Sequence, residues 1–258
     1  MASEKNIKKN KTKPIPVGIA ALIILLAVVL MASFVYYVVK PPKDSSSGGD
    51  YSGTQDFGEQ SENDYNLELG GLKNDIEEAE VHDVISLGKY EQDGNTENGS
   101  EDIEWIVLEK NDETALLISR YALDTVKYNE AREDCSFEDS SLFAFLNGDF
   151  YNNAFDGEEK EIIFSDENGE KVSLLTKEEA FSYLKVDETH VDSAKITAFA
   201  ESKGARTRNG ACWWWLKDSG NTENSAKYVH FDGTVQDNGF AFDYGEVAIR
   251  PVLRVKLG

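Results

Sequence analysis

The sequence has few of the residues on which most catalytic and metal sites depend. It contains three His and two Cys in 258 residues. The histidines form no H-x-x-x-H pattern and the cysteines form no C-x-x-C pair, so the ligand spacing of a zinc site is lacking. No phosphate-binding loop, dinucleotide fingerprint or G-x-S-x-G motif occurs either. We therefore predict no zinc site and find none of the common catalytic motifs.

Basic residues are scarce beyond the N-terminal region. Residues 1–43 hold seven Lys and one Glu, which leaves 19 basic and 47 acidic residues and a net charge of −28 in the remainder. Such a surface repels nucleic acid phosphates and anionic lipid headgroups. We exclude nucleic acid as a partner and expect neutral or cationic ligands, divalent ions or neutral polymers. The alternative is that the acidic residues only keep the domain soluble.

One long apolar run is present, PIPVGIAALIILLAVVLMASFVYYVV at residues 14–39, and it carries no charge. About 20 apolar residues span a bilayer. Five Lys precede the run and two follow it closely, which places the N-terminus in the cytoplasm and the rest outside the cell. A cleaved signal peptide has the same order of segments, but its apolar run is shorter. We predict a single-pass anchor in the cell membrane.

The composition divides the chain into four parts. Residues 1–13 form a cytoplasmic basic tail, 14–39 the transmembrane anchor, 40–80 a disordered acidic linker and 81–258 an extracellular domain. The linker is rich in Ser, Gly, Asp and Asn, so it buries too little apolar surface to fold. Its last segment, residues 72–81, has the pattern of a short helix that packs on the domain.

Apolar periodicity predicts an α+β fold. Three runs predict antiparallel strands at the start of the domain: 84–90, 103–109 and 114–119. Three more predict strands at its end: 212–216, 226–231 and 247–257. Between them, Ser140 can cap a helix, Thr176 and Glu179 form a capping box, and Gly204 can end a helix. The order predicts an antiparallel sheet with packed helices.

Several blocks of this domain resemble a known family. They are VISLGKYEQ, IEWIVLEK, TALLISRYALD, FEDSSLFAFLNGDFYNNAF, ITAFAESKGA, WWLKDSG and VAIRPVLRVKL. Together they span residues 84–258 and resemble a family of exported Gram-positive domains of unknown function. Phe137 and Phe143 stand where that family usually has Trp and Arg. Its terminal W-W-L and R-P blocks are similar to the C-type-lectin-like fold, near the sulfatase-modifying-factor proteins. The resemblance implies a C-type-lectin-like domain and no particular activity.

Three consecutive tryptophans are the most distinctive local feature. On a strand, Trp213 and Trp215 point to one face and Trp214 to the other. The resemblance implies that Trp214 and Trp215 fill the core. Trp213 lies outside the shared block, so we expect it to be exposed, where it can stack on a sugar ring or anchor a protein partner.

Other charged and aromatic residues are candidates near Trp213. We predict binding through the loops around residues 232–246 and assign the binding residues Trp213, Lys217, Asp232, Asp243 and Tyr244. Arg250 lies between apolar residues, and a buried charge must be paired. We expect Arg250 to have a structural role, paired with a carbonyl or an acid such as Asp218 or Asp243.

The two cysteines, Cys135 and Cys212, allow two readings. Outside the cell they can form one disulfide, or both can be free thiols in the core. Carboxylates cluster at 93–102, 166–170 and 232–239, where calcium could bind through oxygen ligands. Neither an EF-hand nor a calcium-lectin tripeptide is present, so solvated turns are the simpler explanation. We predict no cofactor.

These features favour a non-enzymatic surface module that binds a cell-wall polymer, a glycan or a protein. Two alternatives remain open. One is an exported enzyme of the sulfatase-modifying-factor type that uses its cysteines. The other is a structural or signalling component of an envelope complex.

Overall fold

A computed structural model describes residues 71–257 with the exception of 73. The predicted tail, the anchor at 14–39 and most of the linker lie outside these residues. Within the described part, no helix has the length and apolarity that a membrane crossing requires.

The domain begins with an antiparallel sheet, which we call the N-terminal sheet. Its hydrogen-bonded order is β1 (Val84–Tyr90), β2 (Glu101–Lys110), β3 (Thr114–Ser119), β14 (Val252–Lys256) and β6 (Val172–Ser173). Ile103, Trp105 and Val107 alternate along β2 and are fully buried. The indole N–H of Trp105 donates to the carbonyl of Leu87 at 2.7 Å. The predicted opening meander is confirmed.

A second sheet contains two of the three consecutive tryptophans, and we call it the tryptophan sheet. Its order is β12 (Val235–Ala241), β11 (Ser225–Val229), β10 (Trp214–Ser219), β13 (Ala248–Ile249) and β5 (Asp124–Thr125). β10 and β13 pair in parallel, and the other neighbours are antiparallel. The sequence did not predict β12, because the polar Q-D-N-G centre of its VQDNGFA segment breaks the apolar alternation. Pairing with β11 makes it a strand.

A third, small sheet joins short segments. Its order is β4 (Tyr121–Ala122), β7 (Lys195–Ile196), β9 (Ala211–Cys212) and β8 (Thr207–Arg208). β4 and β7 are parallel, and the other pairs are antiparallel. This sheet holds the segment that immediately precedes Trp213.

Helices connect the sheets. Residues 71–72 and 74–78 are helical, and we call 74–78 α1. The others are α2 (Ser141–Phe145), a π-helical turn (Leu146–Phe150), α3 (Tyr151–Ala154), α4 (Gly157–Ile162), α5 (Lys177–Tyr183) and α6 (Ala198–Ser202). Ser140 caps α2, and the Thr176–Glu179 capping box opens α5, both as predicted. Gly204, with φ +99°, follows the end of α6.

The predicted linker is too long at its C-terminal end. Ile76 and Ala79 are 1% and 8% exposed and belong to the core. The Lys110 ammonium donates to the carbonyls of both residues, at 3.1 and 2.7 Å. These contacts satisfy carbonyls at the end of α1 and fix it on the domain. The folded unit therefore includes residues 74–79. The helix predicted within 72–81 is confirmed at 74–78 and packs on the domain, whereas the disordered linker assigned to 40–80 extends too far.

Two buried clusters form the core. The larger one includes Trp105, Trp215, Phe150 and Tyr151, and the partly buried aromatic residues of α2 pack against it. The smaller one includes Trp214 and Cys212. Trp214 and Trp215 are both fully buried but lie in different clusters, because successive side chains of a strand point to opposite faces. The α+β class with antiparallel sheets is confirmed.

Candidate functional site

A linked series of aromatic side chains lies on the tryptophan sheet, and we call it the aromatic face. Its members are Trp213, His230, Phe231, Phe240 and Tyr244. The ring centroid of Trp213 lies 5.2 Å from that of His230, 5.4 Å from Phe240 and 6.4 Å from Phe231. Phe240 extends the series to Tyr244 at 4.8 Å. Ring pairs at these separations attract one another.

Strand pairing builds this face from distant segments. Trp214 of β10 pairs with Val229 of β11, so the preceding Trp213 comes next to His230. The ring of Tyr228 lies 4.7 Å from that of Trp213 and is 7% exposed. β12 then adds Phe240 beside β11. The face therefore has a rigid base in the sheet and the core.

The members of the face differ in exposure. Tyr244 is 43% exposed, whereas Trp213, His230, Phe231 and Phe240 are half-buried. Trp213 is thus partly covered and less exposed than the sequence predicted. The cover is Arg206, whose guanidinium carbon lies 4.8 Å from the Trp213 ring centroid.

Two arginines that sequence reasoning missed complete the face. The Arg206 guanidinium also lies 5.5 Å from Phe240, and its Nε donates to the Glu246 carboxylate at 2.5 Å. Arg208 lies over Phe231 at 5.4 Å. Guanidinium groups bind the faces of aromatic rings. The R-T-R pattern at 206–208 was the sequence signal that could have drawn attention to these arginines. It did not indicate their aromatic partners, because those come from other segments of the chain.

The indole N–H of Trp213 has no hydrogen-bond partner in the part of the chain that the structure describes. Its Nε1 atom is buried. Buried indole N–H groups usually find an acceptor. The nitrogen side of the Trp213 ring is therefore turned into the protein, and the exposed part of the residue is its apolar ring.

Two ionisable groups next to the face, Asp232 and Tyr228, have shifted pKa values that fix their protonation near neutral pH. Burial raises the pKa of Asp232, but hydrogen bonds from Thr234 and the interaction with His230 outweigh it, and the pKa falls to about 2. The Nδ1 of His230 lies 3.0 Å from the Asp232 carboxylate. Burial also raises the pKa of Tyr228, although Arg206 opposes the shift. Asp232 is therefore an anion near neutral pH, and Tyr228 remains a neutral phenol.

The structure brings together some of the predicted binding residues. Trp213 and Tyr244 belong to the aromatic face, and Asp232 adjoins it through His230. Asp243 precedes Tyr244, and its Oδ1 is buried without a hydrogen-bond partner in the described part of the chain. Lys217 lines a separate pocket, where it pairs with Glu170.

Arg250 is 1% exposed and has a carbonyl and a carboxylate as partners, as expected, but the carboxylate is neither of the two suggested by the sequence. Its Nε donates to the Ser119 carbonyl at 3.0 Å, and its Nη2 lies 3.7 Å from the Asp192 carboxylate. The guanidinium also lies 5.4 Å from the Trp214 ring. The proposed acidic partners, Asp218 and Asp243, are therefore wrong. The Asp218 carboxylate instead accepts the backbone N–H of Lys177.

Both cysteines are free thiols, so the disulfide reading does not hold. Cys212 is buried in the smaller cluster, whereas Cys135 packs on the larger one. Burial raises the pKa of Cys212 to about 12 despite the nearby Arg250. Burial, together with Asp134 and Asp139, raises the pKa of Cys135. Neither thiol has the lowered pKa of an activated nucleophile.

Three carboxylates of the first acidic loop lie close together. Ligand atoms of Glu91, Asp93 and Glu101 are within 4.8 Å of one another. Each carboxylate accepts backbone N–H groups of its own loop. These hydrogen bonds explain why the three carboxylates lie close together in an ordered turn. The cluster therefore gives no support to the hypothesis of a calcium site.

Comparison with known proteins places the chain in a family. Residues 112–257 match the sequence model of a family described as "Domain of unknown function (DUF6273)". No curated protein and no solved structure matches the chain. The matched segment is more than half of the sequence and contains every residue of the aromatic face. This chain therefore belongs to that family of domains of unknown function.

Proposed function

We propose that this chain is a membrane-anchored binding module that holds a cell-wall glycan polymer outside the cell. The observation that carries the proposal is the aromatic face, in which partly exposed rings are linked in series through Trp213 and Phe240. Aromatic rings bury large areas on binding, and their faces can stack on sugar rings.

Several sequence features agree with this role. The basic-then-apolar N-terminal region predicts an anchor at 14–39 that leaves the domain outside the cell. The resemblance to exported Gram-positive domains and to the C-type-lectin-like fold favours sugar recognition, although fold alone does not give function. A net charge of −28 beyond residue 43 favours neutral polymers over anionic ones.

The enzyme alternative has less support. A cysteine-dependent reaction needs a thiolate, and the surroundings of Cys135 and Cys212 favour the protonated thiol. A structural or signalling role in an envelope complex would instead give the aromatic face a protein partner, since Trp, Tyr and Arg dominate protein hot spots.

Two binding experiments with the full-length chain in detergent test the proposal. One is co-sedimentation with purified wall sacculi, and the other is a neutral glycan array. We expect Tyr244→Ala and Trp213→Ala to weaken retention at least tenfold. Phe164→Ala is the matched control, since Phe164 has a similar exposure of 41% but lies outside the face. Retention unchanged in both face variants, or no retention on any glycan, would contradict the proposal.

A further inference from the structure

A second concave site lies on the N-terminal sheet, and we call it the β14 pocket. Its volume is about 350 Å³. Its apolar floor includes the buried side chains of Leu116 on β3 and Val252 on β14, which lie on the same face of the sheet as Arg254. Small-molecule sites have volumes of roughly 300–1,000 Å³. The pocket is therefore of a size to hold a small molecule.

The rim of the pocket carries charges of both signs. One pair is neutralised within the protein, since Lys217 lies 3.0 Å from Glu170 and 3.4 Å from Glu138. The Lys217 and Glu170 side chains are only 25% and 15% exposed, so this pair is well shielded from water. Burial lowers the pKa of Lys217, but the two carboxylates raise it by more, so the pKa lies above its ordinary value. Lys217 is therefore a permanent cation that closes one wall.

Two other rim groups retain hydrogen-bonding capacity. Arg254 uses its Nη1, which donates to Glu109 at 3.2 Å and to Thr114 at 3.1 Å. Its Nε and Nη2 have no acceptor among the described residues. Glu179 uses its Oε2, which accepts the backbone N–H and the hydroxyl of Thr176. Its Oε1 has no donor in the same part of the chain.

The pocket thus combines a free cationic donor, a free anionic acceptor and an apolar floor. An anion alone would meet Glu179, and a cation alone would meet Arg254. A zwitterion carries one group for each of them, and an apolar side chain on the same ligand can pack on Leu116 and Val252. Charge-assisted hydrogen bonds of this kind are stronger than neutral ones.

We propose that the β14 pocket binds an α-amino acid zwitterion with an apolar side chain, as the free amino acid or as a dipeptide. The carboxylate of the ligand pairs with Arg254, its ammonium group pairs with Glu179, and its side chain packs on Leu116 and Val252. This site is separate from the aromatic face and does not depend on glycan binding.

Calorimetric titration of the full-length chain with leucine, leucyl-leucine, N-acetyl-leucine and leucinamide tests the chemistry. N-acetylation removes the ammonium group, and amidation removes the carboxylate. We expect leucine or leucyl-leucine to bind, and each blocked derivative to bind at least tenfold more weakly. Equal binding of the blocked derivatives, or no binding of any compound, overturns the proposal.

Variants then locate the site. Arg254→Gln and Glu179→Gln should each weaken leucine binding at least tenfold, and Gln at 179 still completes the capping box of α5. The matched controls are Lys256→Gln on the same strand and Glu178→Gln on the same helix, both exposed. Denaturant unfolding shows whether each variant is folded. Tyr244→Ala should leave leucine binding unchanged, so a loss there would move the ligand to the aromatic face and overturn the assignment.

Discussion

The guanidinium of Arg206 lies against the ring of Trp213, 4.8 Å from its centroid, and is held there by Glu246. The other three tryptophans are fully buried, so Trp213 is the partly accessible one of the four. Arg206 therefore controls how much of the only accessible indole meets solvent.

Replacing Arg206 by Ala should uncover Trp213. We expect stronger acrylamide quenching of tryptophan fluorescence and a loss of about 0.5–1 kcal/mol in the free energy of unfolding, because the cation–π contact is lost. Arg208→Ala is the control, since Arg208 contacts Phe231. Trp213→Phe should remove the quenchable emission. Equal quenching of the wild type and Arg206→Ala would show that Arg206 does not cover the ring.

The thiols should react in a fixed order. The raised pKa of Cys212, about 12, and its burial keep it unreactive at pH 8. We treat the native chain, without reductant, with a chromogenic disulfide reagent that reacts with free thiols. We expect only Cys135 to react, and to react slowly. The unfolded chain should give two thiols per molecule, and Cys135→Ser should abolish the native reaction. An unfolded, unreduced chain with no reactive thiol would demonstrate a disulfide instead.

Gly220 should resist substitution because of packing. A Cβ at this position would lie 2.2 Å from the Ser225 hydroxyl and 2.7 Å from the Asn238 carbonyl. We expect Gly220→Ala to cost about 1–3 kcal/mol of unfolding free energy in urea titrations. Gly148→Ala is the matched control, since Gly148 is helical and has open space around it. That change should stabilise the chain by about 0.4–1 kcal/mol. Similar effects of both changes would contradict the packing argument.

The Tyr183–Glu109 hydrogen bond should make stability depend on alkaline pH. The hydrogen bond to Glu109, with burial, raises the pKa of Tyr183 from 10.0 to about 12. The folded state then holds the proton more tightly than the unfolded state. The contribution of this hydrogen bond to the free energy of unfolding is complete below pH 10 and falls as the pH rises from 10 to 12. We expect unfolding titrations to show this loss in the wild type but not in Tyr183→Phe. Parallel pH profiles would refute the assignment.

Much of the fold followed from local sequence signals. The Ser140 cap and the Thr176–Glu179 capping box have the predicted partners, because a cap and its N–H partner lie within three residues. The alternation of Trp214 and Trp215 between two core clusters also follows from strand geometry. β12 was missed because its polar residues give no apolar period, and only pairing with β11 makes it a strand.

The candidate sites were less predictable. Trp213 could be selected because it lies outside the shared tryptophan block, and Tyr244 because it lies in the 232–246 region, but nothing local relates them to Arg206. Lys217 looked like a neighbour of Trp213, yet its partner Glu170 places it in the β14 pocket. Contacts of this kind depend on which strands become neighbours, and the sequence of a single segment does not determine that pairing.

The sequence by itself determined the elements with short-range causes: the caps, the strand periods, the strong acidity and the apolar run at 14–39. Only the tertiary structure decided that Arg250 meets Ser119 and Asp192, and that the two cysteines lie in separate clusters. The physical reason is range. Backbone propensity and capping act over a few residues, whereas burial and charge pairing act between groups that only the completed fold brings together.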